Sequence, residues 1–292
     1  MSSSIAAFDI GGTALKMGVV LTDGEIVETK EVTIQHFDGL HILSEMKEWV
    51  IAHPEVSGIA ISAPGYVNPK TGVISMGGAI RDFDEFNMLE WSEKNLKLPT
   101  AIENDANCAL LAEKWLGKAK PLENFLCLTI GTGIGGGIYV NDKLVRGNRY
   151  RAGEFGYMFT ETPGTALPGT QTLNDTTTIY RMRMQYAAYT ERALEDITGE
   201  EIFAGYDAGD VVCTRLVSSF YNGICTGLYN LIYLFDPSHI FIGGGITSRP
   251  TFIEELKEQM IWFGLRDTVI EAVTHRNQAG LLGAVYHYLQ GE

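Results

Sequence analysis

The sequence predicts an α/β fold made of two similar lobes around a central cleft. Three observations lead to this prediction. Glycine-rich turns follow apolar strands at residues 11–12, 131–137 and 243–245. A meander of three short strands occurs twice, and strand-like and helix-like segments alternate after each copy, as is typical of sheets flanked by helices. The chain of 292 residues, 45% of them hydrophobic, is long enough to fill two cores.

The first lobe is predicted for residues 1–118. A strand ends at Asp9, a Gly-Gly-Thr turn leads into a second strand, and Asp23-Gly24 marks a hairpin before a third strand of alternating polarity. The later elements of this lobe are a helix at residues 41–53, a strand and loop at 56–65, a strand at 98–105 and a helix at 106–117. Together they predict one mixed sheet with helices beside it.

The second lobe is predicted for residues 119–292, with the last helix free to pack back on the first lobe. It repeats the meander at residues 125–145, and aligning the first turns places residues 8–13 opposite residues 128–133, which indicates an internal duplication. A loop rich in Gly, Pro and Thr then follows. The remaining elements are helices at 177–197 and 210–235, a short strand into a glycine turn at 239–247, and helices at 251–260 and 279–290.

Charge and cysteine usage limit the classes of partner. A net charge of -14 argues against nucleic acid or an anionic membrane as a partner, because a basic patch would have to neutralise their phosphates. No signal peptide is recognisable before Asp9, and the most apolar later stretch, residues 220–235, is too short to span a bilayer, so a cytoplasmic protein is expected. Four cysteines without C-x-x-C spacing favour reduced thiols in the core.

The glycine turns and one acidic pair carry the candidate chemistry. A single glycine turn is more readily a tight hairpin, but recurrence after equivalent strands indicates backbone amides that gather around a phosphate. None of the turns matches a P-loop or a dinucleotide-binding fingerprint. Asn104 and Asp105 stand where a strand becomes a helix, so Asp105 is either an N-cap or a general base for a hydroxyl, and the two roles are compatible.

Six ordered motifs carry a resemblance to a known family. They are AFDIGGT, APG, ENDANCALLAE, IGTGIGGGI, RAGEFGY and IFIGGGI, and they span nearly the whole chain. In this order the sequence resembles the ROK family of sugar kinases, repressors and open reading frames. The resemblance implies the duplicated actin-like, ribonuclease-H-type ATPase fold. In the kinase branch it implies transfer of the ATP γ-phosphoryl group to a sugar hydroxyl.

The resemblance also assigns site residues. Asp105 is the expected catalytic base. The expected sugar ligands are Gly65, Asn104, Asp105, Glu154 and Tyr157. The expected nucleotide-binding residues are Asp9, Gly11, Gly12, Thr13 and Lys16 in the first lobe, and Gly131, Thr132, Gly133, Gly243, Gly244 and Gly245 in the second. Mg²⁺ is expected to arrive with ATP, with Asp9 as a candidate to orient the ion or its waters.

The sequence departs from the family pattern at one motif. Many members have a His where this chain has Tyr157, followed by a Cys-rich loop that binds a structural zinc, whereas the loop here contains neither Cys nor His. Because zinc needs about four N or S ligands, no structural zinc is expected. Tyr157 either faces a sugar or is an ordinary core aromatic. Zinc-free relatives with an altered loop include β-glucoside kinases that act on the 6-hydroxyl of disaccharides.

The expected function is therefore an ATP-dependent sugar kinase that phosphorylates a hydroxyl, with C6 expected, of a hexose or β-glucoside. The partners are the sugar and ATP, and a homodimer is one of the states found among relatives. A sugar-responsive regulator of the same family would need a helix-turn-helix before the first glycine turn, where only eight residues precede Asp9. A non-catalytic sugar-binding protein is the other alternative.

Overall fold

The computed structural model describes residues 3–131, 133–160 and 171–291. The chain forms two compact units. The first comprises Met1–Glu123, Gly137–Gly153 and Val273–Glu292, and the second comprises Asn124–Gly136 and Glu154–Ala272. The division of the chain into lobes at residue 118 stays a prediction.

Strands and helices alternate along much of the chain. The strands are β1 (Ser4–Ile10), β2 (Ala14–Leu21), β3 (Ile26–Thr33), β4 (Val56–Ala63), β5 (Val73–Ile74), β6 (Phe86–Asn87), β7 (Thr100–Asn104), β8 (Phe125–Ile130), β9 (Ile134–Val140), β10 (Lys143–Leu144), β11 (His239–Gly243) and β12 (Val269–Ala272). The helices are α1 (Gly39–Ala52), α2 (Met88–Asn95), α3 (Asp105–Leu116), α4 (Leu173–Thr176), α5 (Ile179–Thr190), α6 (Gly199–Asp207), α7 (Val211–Phe235), α8 (Phe252–Trp262) and α9 (Ala279–Gln290).

The first unit is built on a five-stranded sheet of order β3-β2-β1-β4-β7. β1 runs antiparallel to β2 and parallel to β4, and β7 continues the parallel part. β1 is central and almost wholly apolar, so its side chains are buried, whereas the edge strand β3 is charged and exposed. α9 packs against β1, β4 and β7, α3 packs against α9, and α1 contributes Ile42, Met46 and Trp49 to the core.

The second sheet repeats this plan. Its order is β10-β9-β8-β11-β12, β9 and β10 are antiparallel, and β11 is parallel to both β8 and β12. Three consecutive strands are therefore followed by two parallel additions in both sheets, which confirms the predicted duplication. In the second unit α5, α6, α7 and α8 pack around an aromatic cluster that includes Phe203, Phe220, Tyr221 and Phe252.

Some predicted elements differ from those observed. The helix expected over residues 177–197 ends at Thr190, because Glu191 takes a left-handed backbone conformation with φ of 55°. α2 and α6 were not predicted, since both are short and lack a long apolar repeat. Within the described part of the chain, no helix is both long and apolar enough to cross a membrane. Cys108, Cys127, Cys213 and Cys225 are free and buried.

Candidate active site

The first glycine turn joins β1 to β2 and follows an anchored aspartate. Gly11 N–H donates to the Ala14 carbonyl at 2.9 Å, which closes the turn. Asp9 lies on the central strand, so its register partners flank it on both sides: Ser62 Oγ donates to Asp9 Oδ1 at 2.7 Å, and Lys16 Nζ lies 3.6 Å from Oδ2. The structure therefore brings Asp9, Lys16 and residues 11–13 together.

The first turn of α9 also lies against Asp9. A Cβ added at Gly280 would come within 2.3 Å of the Asp9 carboxyl group, so any larger residue would push the carboxylate or the helix away. The amino end of a helix carries partial positive charge and favours a neighbouring anion. Gly280 thus permits a close approach of the helix that suits the Asp9 charge.

The turn from β7 to α3 is capped by Asn104. Asn104 Oδ1 accepts hydrogen bonds from Ala106 N and Asn107 N at 3.0 and 3.1 Å, and Asp105 is the first helical residue. The N-cap role considered for Asp105 from the sequence thus belongs to Asn104, because its side chain reaches back over the first turn. Asn104 Nδ2 donates to the Gly65 carbonyl and to Asp105 Oδ1, each at 3.0 Å.

One oxygen of the Asp105 carboxylate is held and the other is open. Oδ1 accepts from Asn104 Nδ2 and from Ala106 N at 2.8 Å. Within the described residues, Oδ2 makes no hydrogen bond. Although the side chain reaches solvent, loss of hydration in the surrounding protein, and then the negative charge of Asp9, raise the pKa of Asp105 to about 6. A carboxylate with a pKa just below neutrality is suited to accept a proton.

Gly65 lies beside this turn. It has φ of 88°, and a Cβ there would come within 1.7 Å of the Met76 carbonyl oxygen, so both the backbone conformation and the space require glycine. Its own carbonyl accepts the hydrogen bond from Asn104. The structure therefore brings together Gly65, Asn104 and Asp105.

The second and third glycine turns are neighbours in the second unit. Gly131 N–H donates to the Gly133 carbonyl at 2.9 Å, and Ile134 N donates to Asn174 Oδ1 at 2.7 Å. The backbone of Gly244 packs against the Ile130 carbonyl, so residues 243–245 lie beside the second turn. Thr132, a predicted nucleotide-binding residue, lies outside the described residues.

A cavity of about 690 Å³ opens beside these two turns. Gly131 and Gly245 line it together with apolar side chains from α5, α6 and the segment after β11, among them Ile179, Phe203 and Ile246. This volume lies within the range of small-molecule sites, which bury apolar rings and hold a few polar groups.

Two arginines fix the wall of this cavity. Arg183 donates to the carbonyls of Leu194 and Ile197 at 2.9 and 2.6 Å. Arg249 pairs with Asp207 and Glu255 and lies 4.8 Å from the centre of the Phe203 ring. Its hydrogen bonds with Asp207 and then Glu255 hold the pKa of Arg249 above its ordinary value. These hydrogen bonds hold both arginine side chains in the wall, and Arg249 stays positively charged.

The remaining predicted sugar ligands also lie in the second unit. Glu154 is half-buried and precedes a single 3-10 turn, in which Tyr157 N–H donates to the Glu154 carbonyl at 3.2 Å. The Tyr157 side chain is 50% exposed, so it is not a core aromatic. In the described ranges, no three His, Cys, Asp or Glu side chains gather as metal ligands would.

Sequence reasoning missed several residues of this region. Ser62 and Arg146 carry no motif, and Glu103 lies inside one of the six motifs without a role assigned to it. The cavity wall was missed because Arg183 and Arg249 lie far from the glycine turns in sequence. No local signal marks these residues, since their partners are brought to them by the sheet order.

Comparison with known proteins decides the family. A profile of the ROK family matches residues 5–290. The chain belongs to the ROK family. It is 70% identical over 288 residues to a β-glucoside kinase of Listeria monocytogenes, with 99% of this chain and 98% of the relative covered. A β-glucoside kinase of Klebsiella pneumoniae is 54% identical over 286 residues, with 98% and 96% covered.

Solved structures agree on the fold. A Listeria monocytogenes protein described as a candidate N-acetylmannosamine kinase has a TM-score of 0.96 at 70% identity, with 99% of both chains covered. A ROK glucokinase from Streptomyces griseus, solved with glucose and AMPPNP, has a TM-score of 0.84 at 27% identity and covers 99% of this chain and 100% of its own. The predicted α/β, actin-like ATPase fold is thus confirmed.

These findings make the chain an ATP-dependent sugar kinase, as the sequence predicted. The regulatory alternative is not favoured: a ROK transcriptional regulator shares the fold at 22% identity, and 78% of its length is covered. The descriptions of the two similar Listeria proteins name different sugars, so the acceptor has to be argued from this ROK kinase itself.

Proposed function

We propose that this ROK kinase transfers the γ-phosphoryl group of ATP to the 6-hydroxyl of a β-glucoside. The observation that carries the proposal is the half-engaged Asp105 carboxylate, with Oδ1 held by Asn104 and Ala106 and Oδ2 open. The β-glucoside is supported by the named activity of relatives at 70% and 54% identity over nearly the full length. A hexose is the alternative acceptor.

The sugar is bound by Gly65, Asn104, Glu154 and Tyr157 in this proposal. Asp105 Oδ2 accepts the proton of the attacking hydroxyl as the bond to phosphorus forms, which is late in a loose phosphoryl-transfer step. Asn104 contributes mainly by holding Asp105 Oδ1, because its amide is already engaged by the protein. Exposed Tyr157 presents a ring face or its hydroxyl to the sugar.

The nucleotide is bound by the three glycine turns. In the second unit, residues 131–133 and 243–245 hold phosphates and ribose, and the adjoining cavity takes the adenine. In the first unit, residues 11–13 and Lys16 bind phosphate oxygens. A hard carboxylate such as Asp9, fixed by Ser62, fits Mg²⁺, which keeps several waters and binds through one or two carboxylates and phosphates. The ion supplies charge neutralisation on the transferring phosphoryl group.

Further parts of the proposal concern the cell and the assembly. Free thiols and the use of ATP support a cytoplasmic protein. The acidic chain supports the absence of nucleic-acid and anionic-membrane partners. We include no structural zinc, because residues 158–178 contain neither Cys nor His, and we include a homodimer as the assembly.

A substrate panel tests the proposal. Cellobiose, an aryl β-glucoside, glucose and N-acetylmannosamine are compared by ADP release with ATP and Mg²⁺, and phosphorus NMR locates the phosphate on the product. We expect the highest kcat/KM with β-glucosides and a phosphate on C6. A preference for N-acetylmannosamine, or phosphorylation of another hydroxyl, would contradict the proposed acceptor while leaving the sugar kinase intact.

A further inference from the structure

An ion pair between a buried glutamate and a partly buried arginine lies directly behind the turn that carries Asp105. Glu103 is 1% exposed, and its Oε2 accepts a hydrogen bond from Arg146 Nε at 2.6 Å. Its other oxygen, Oε1, accepts from Asn104 N at 2.8 Å and from Asn107 Nδ2 at 3.0 Å. Both carboxylate oxygens of Glu103 therefore accept hydrogen bonds from residues that surround the turn.

These hydrogen bonds connect Glu103 to Asp105, the proposed base, through Asn104. Glu103 fixes the backbone amide of Asn104, the side chain of Asn104 caps α3, and the same side chain holds Asp105 Oδ1. A shift in the Asn104 backbone would move its side chain and weaken one of the two hydrogen bonds that hold Asp105 Oδ1. Asp105 could then point either oxygen outward instead of Oδ2 alone.

The arginine side of the pair also lies on a loop that contacts the segment after β4. Arg146 and Arg151 belong to one loop, and the Arg151 guanidinium lies 4.7 Å from the centre of the Tyr66 ring. Tyr66 follows Gly65, whose carbonyl accepts from Asn104. The loop that carries Arg146 and Arg151 therefore contacts both Glu103 and Tyr66, and Asn104 joins these two places through its bond to Gly65.

The pair is difficult to explain by stability. Removing two charges from water costs several kcal/mol per ion, and a buried pair often only breaks even against apolar residues of similar volume. A role in positioning explains the pair better, because Glu103 binds both Asn104, the residue before Asp105, and Asn107 in the first turn of α3. A misplacement of about 1 Å in a reacting group can cost about 100-fold in rate.

We propose that Glu103 and Arg146 are positioning residues that orient Asp105 by fixing the Asn104 backbone. The inference rests on the proposed role of Asp105 as the base. It adds a way for the loop before Glu154 to influence the base, since Arg146 lies on that loop.

The test compares two buried glutamates in the same unit. Glu113, on α3, is fully buried and also takes three hydrogen bonds, from Thr274 N, Thr274 Oγ1 and Lys118 N. It lies eight residues beyond Asp105, about 12 Å along the helix. Glu113→Gln therefore matches Glu103→Gln in burial and in the number of hydrogen bonds accepted, but not in proximity to the base.

For Glu103→Gln we expect kcat to fall about 30-fold while the KM for ATP stays within about twofold, because the base is misplaced and the nucleotide-binding residues are unchanged. The share of ADP released without sugar phosphate should rise. Glu113→Gln should lower the melting temperature by a similar amount with kcat within about twofold of the parent. Equal losses of kcat in the two variants would overturn the inference.

Variants of Arg146 provide a second, independent test. Arg146→Met should reproduce the loss of kcat, and Arg146→Lys, which restores the charge, should recover part of it. If Glu103→Gln does not fold, the two Arg146 variants decide, and equal activity of both would overturn the inference. Failure of the proposed role of Asp105 looks different, because Asp105→Asn would then keep the turnover of the parent protein.

Discussion

The two sheets share one strand order but differ in what stands at the strand ends. In the first, Asp9 ends the central strand between Ser62 and Lys16, and Asp105 follows the fifth strand. In the second, Thr129 occupies the position aligned with Asp9, and β12, the fifth strand, ends at Ala272 with no carboxylate after it. The backbone turns are thus repeated, while carboxylates occupy these two strand ends only in the first copy.

This difference indicates a division of labour. Loss of hydration, and then the negative charge of Asp9, raise the pKa of Asp105, which suits the proton transfer proposed for the first copy. The second copy offers glycine turns and a mainly apolar cavity, which suit a nucleotide. Three measurements of activity test this division, in order of decreasing expected effect, and a measurement of stability serves as a control for the first.

The largest effect is expected from Asp105→Asn. Removing the base should lower kcat about 1000-fold, within the range typical of general-base catalysis. Asp142→Asn, which alters an exposed aspartate paired with Lys114 in the same unit, should change kcat little. The measurement is coupled ADP release with saturating sugar. If Asp105→Asn kept its turnover, Asp105 would not be the general base, and the chemical step could not be assigned to the first copy.

The same substitution also has an expected effect on stability. The folded-state pKa of Asp105, about 6, exceeds its ordinary value of 3.8, so ionisation destabilises the folded state increasingly from about pH 4 to pH 6 and fully above pH 6. Asp105→Asn should therefore keep or raise the melting temperature at pH 7.5, and the difference should vanish below about pH 4. A large drop at pH 7.5 would mean that loss of activity reports unfolding.

A smaller effect is expected from pH in the parent protein. Asp105 must be ionised to accept a proton, so kcat/KM should fall as pH decreases through about 6, to about one tenth of its plateau at pH 5. Activity profiles between pH 5 and 8 measure this. An acid limb centred near pH 4 would show that burial and Asp9 do not tune the base as inferred.

The smallest effect is expected in the second copy. Arg249→Met should loosen the cavity wall and raise the KM for ATP about fivefold, with the KM for sugar unchanged, because only nucleotide binding is weakened. Arg192→Met, which removes an exposed ion pair with Glu201, is the matched control and should leave both KM values near those of the parent. An equal rise in the KM values for ATP and sugar would contradict the proposal that the cavity of the second copy binds only the nucleotide.

The sequence by itself determined the local features of this ROK kinase. Glycine turns after apolar strands, the repeated meander and the polar pair at the start of α3 are set by backbone preferences within a few residues. The site residues assigned from the resemblance follow the same short motifs. Their roles stay predictions, while the fold they imply is confirmed.

The tertiary structure decided which of these residues act together. Arg146 meets Glu103 across 43 positions, and Ser62 meets Asp9 across 53, because strand order and loop packing bring them side by side. It also assigned the helix cap to Asn104 and built the cavity from α5, α6 and the turn after β11. Such contacts depend on packing between distant segments, which a local pattern does not encode.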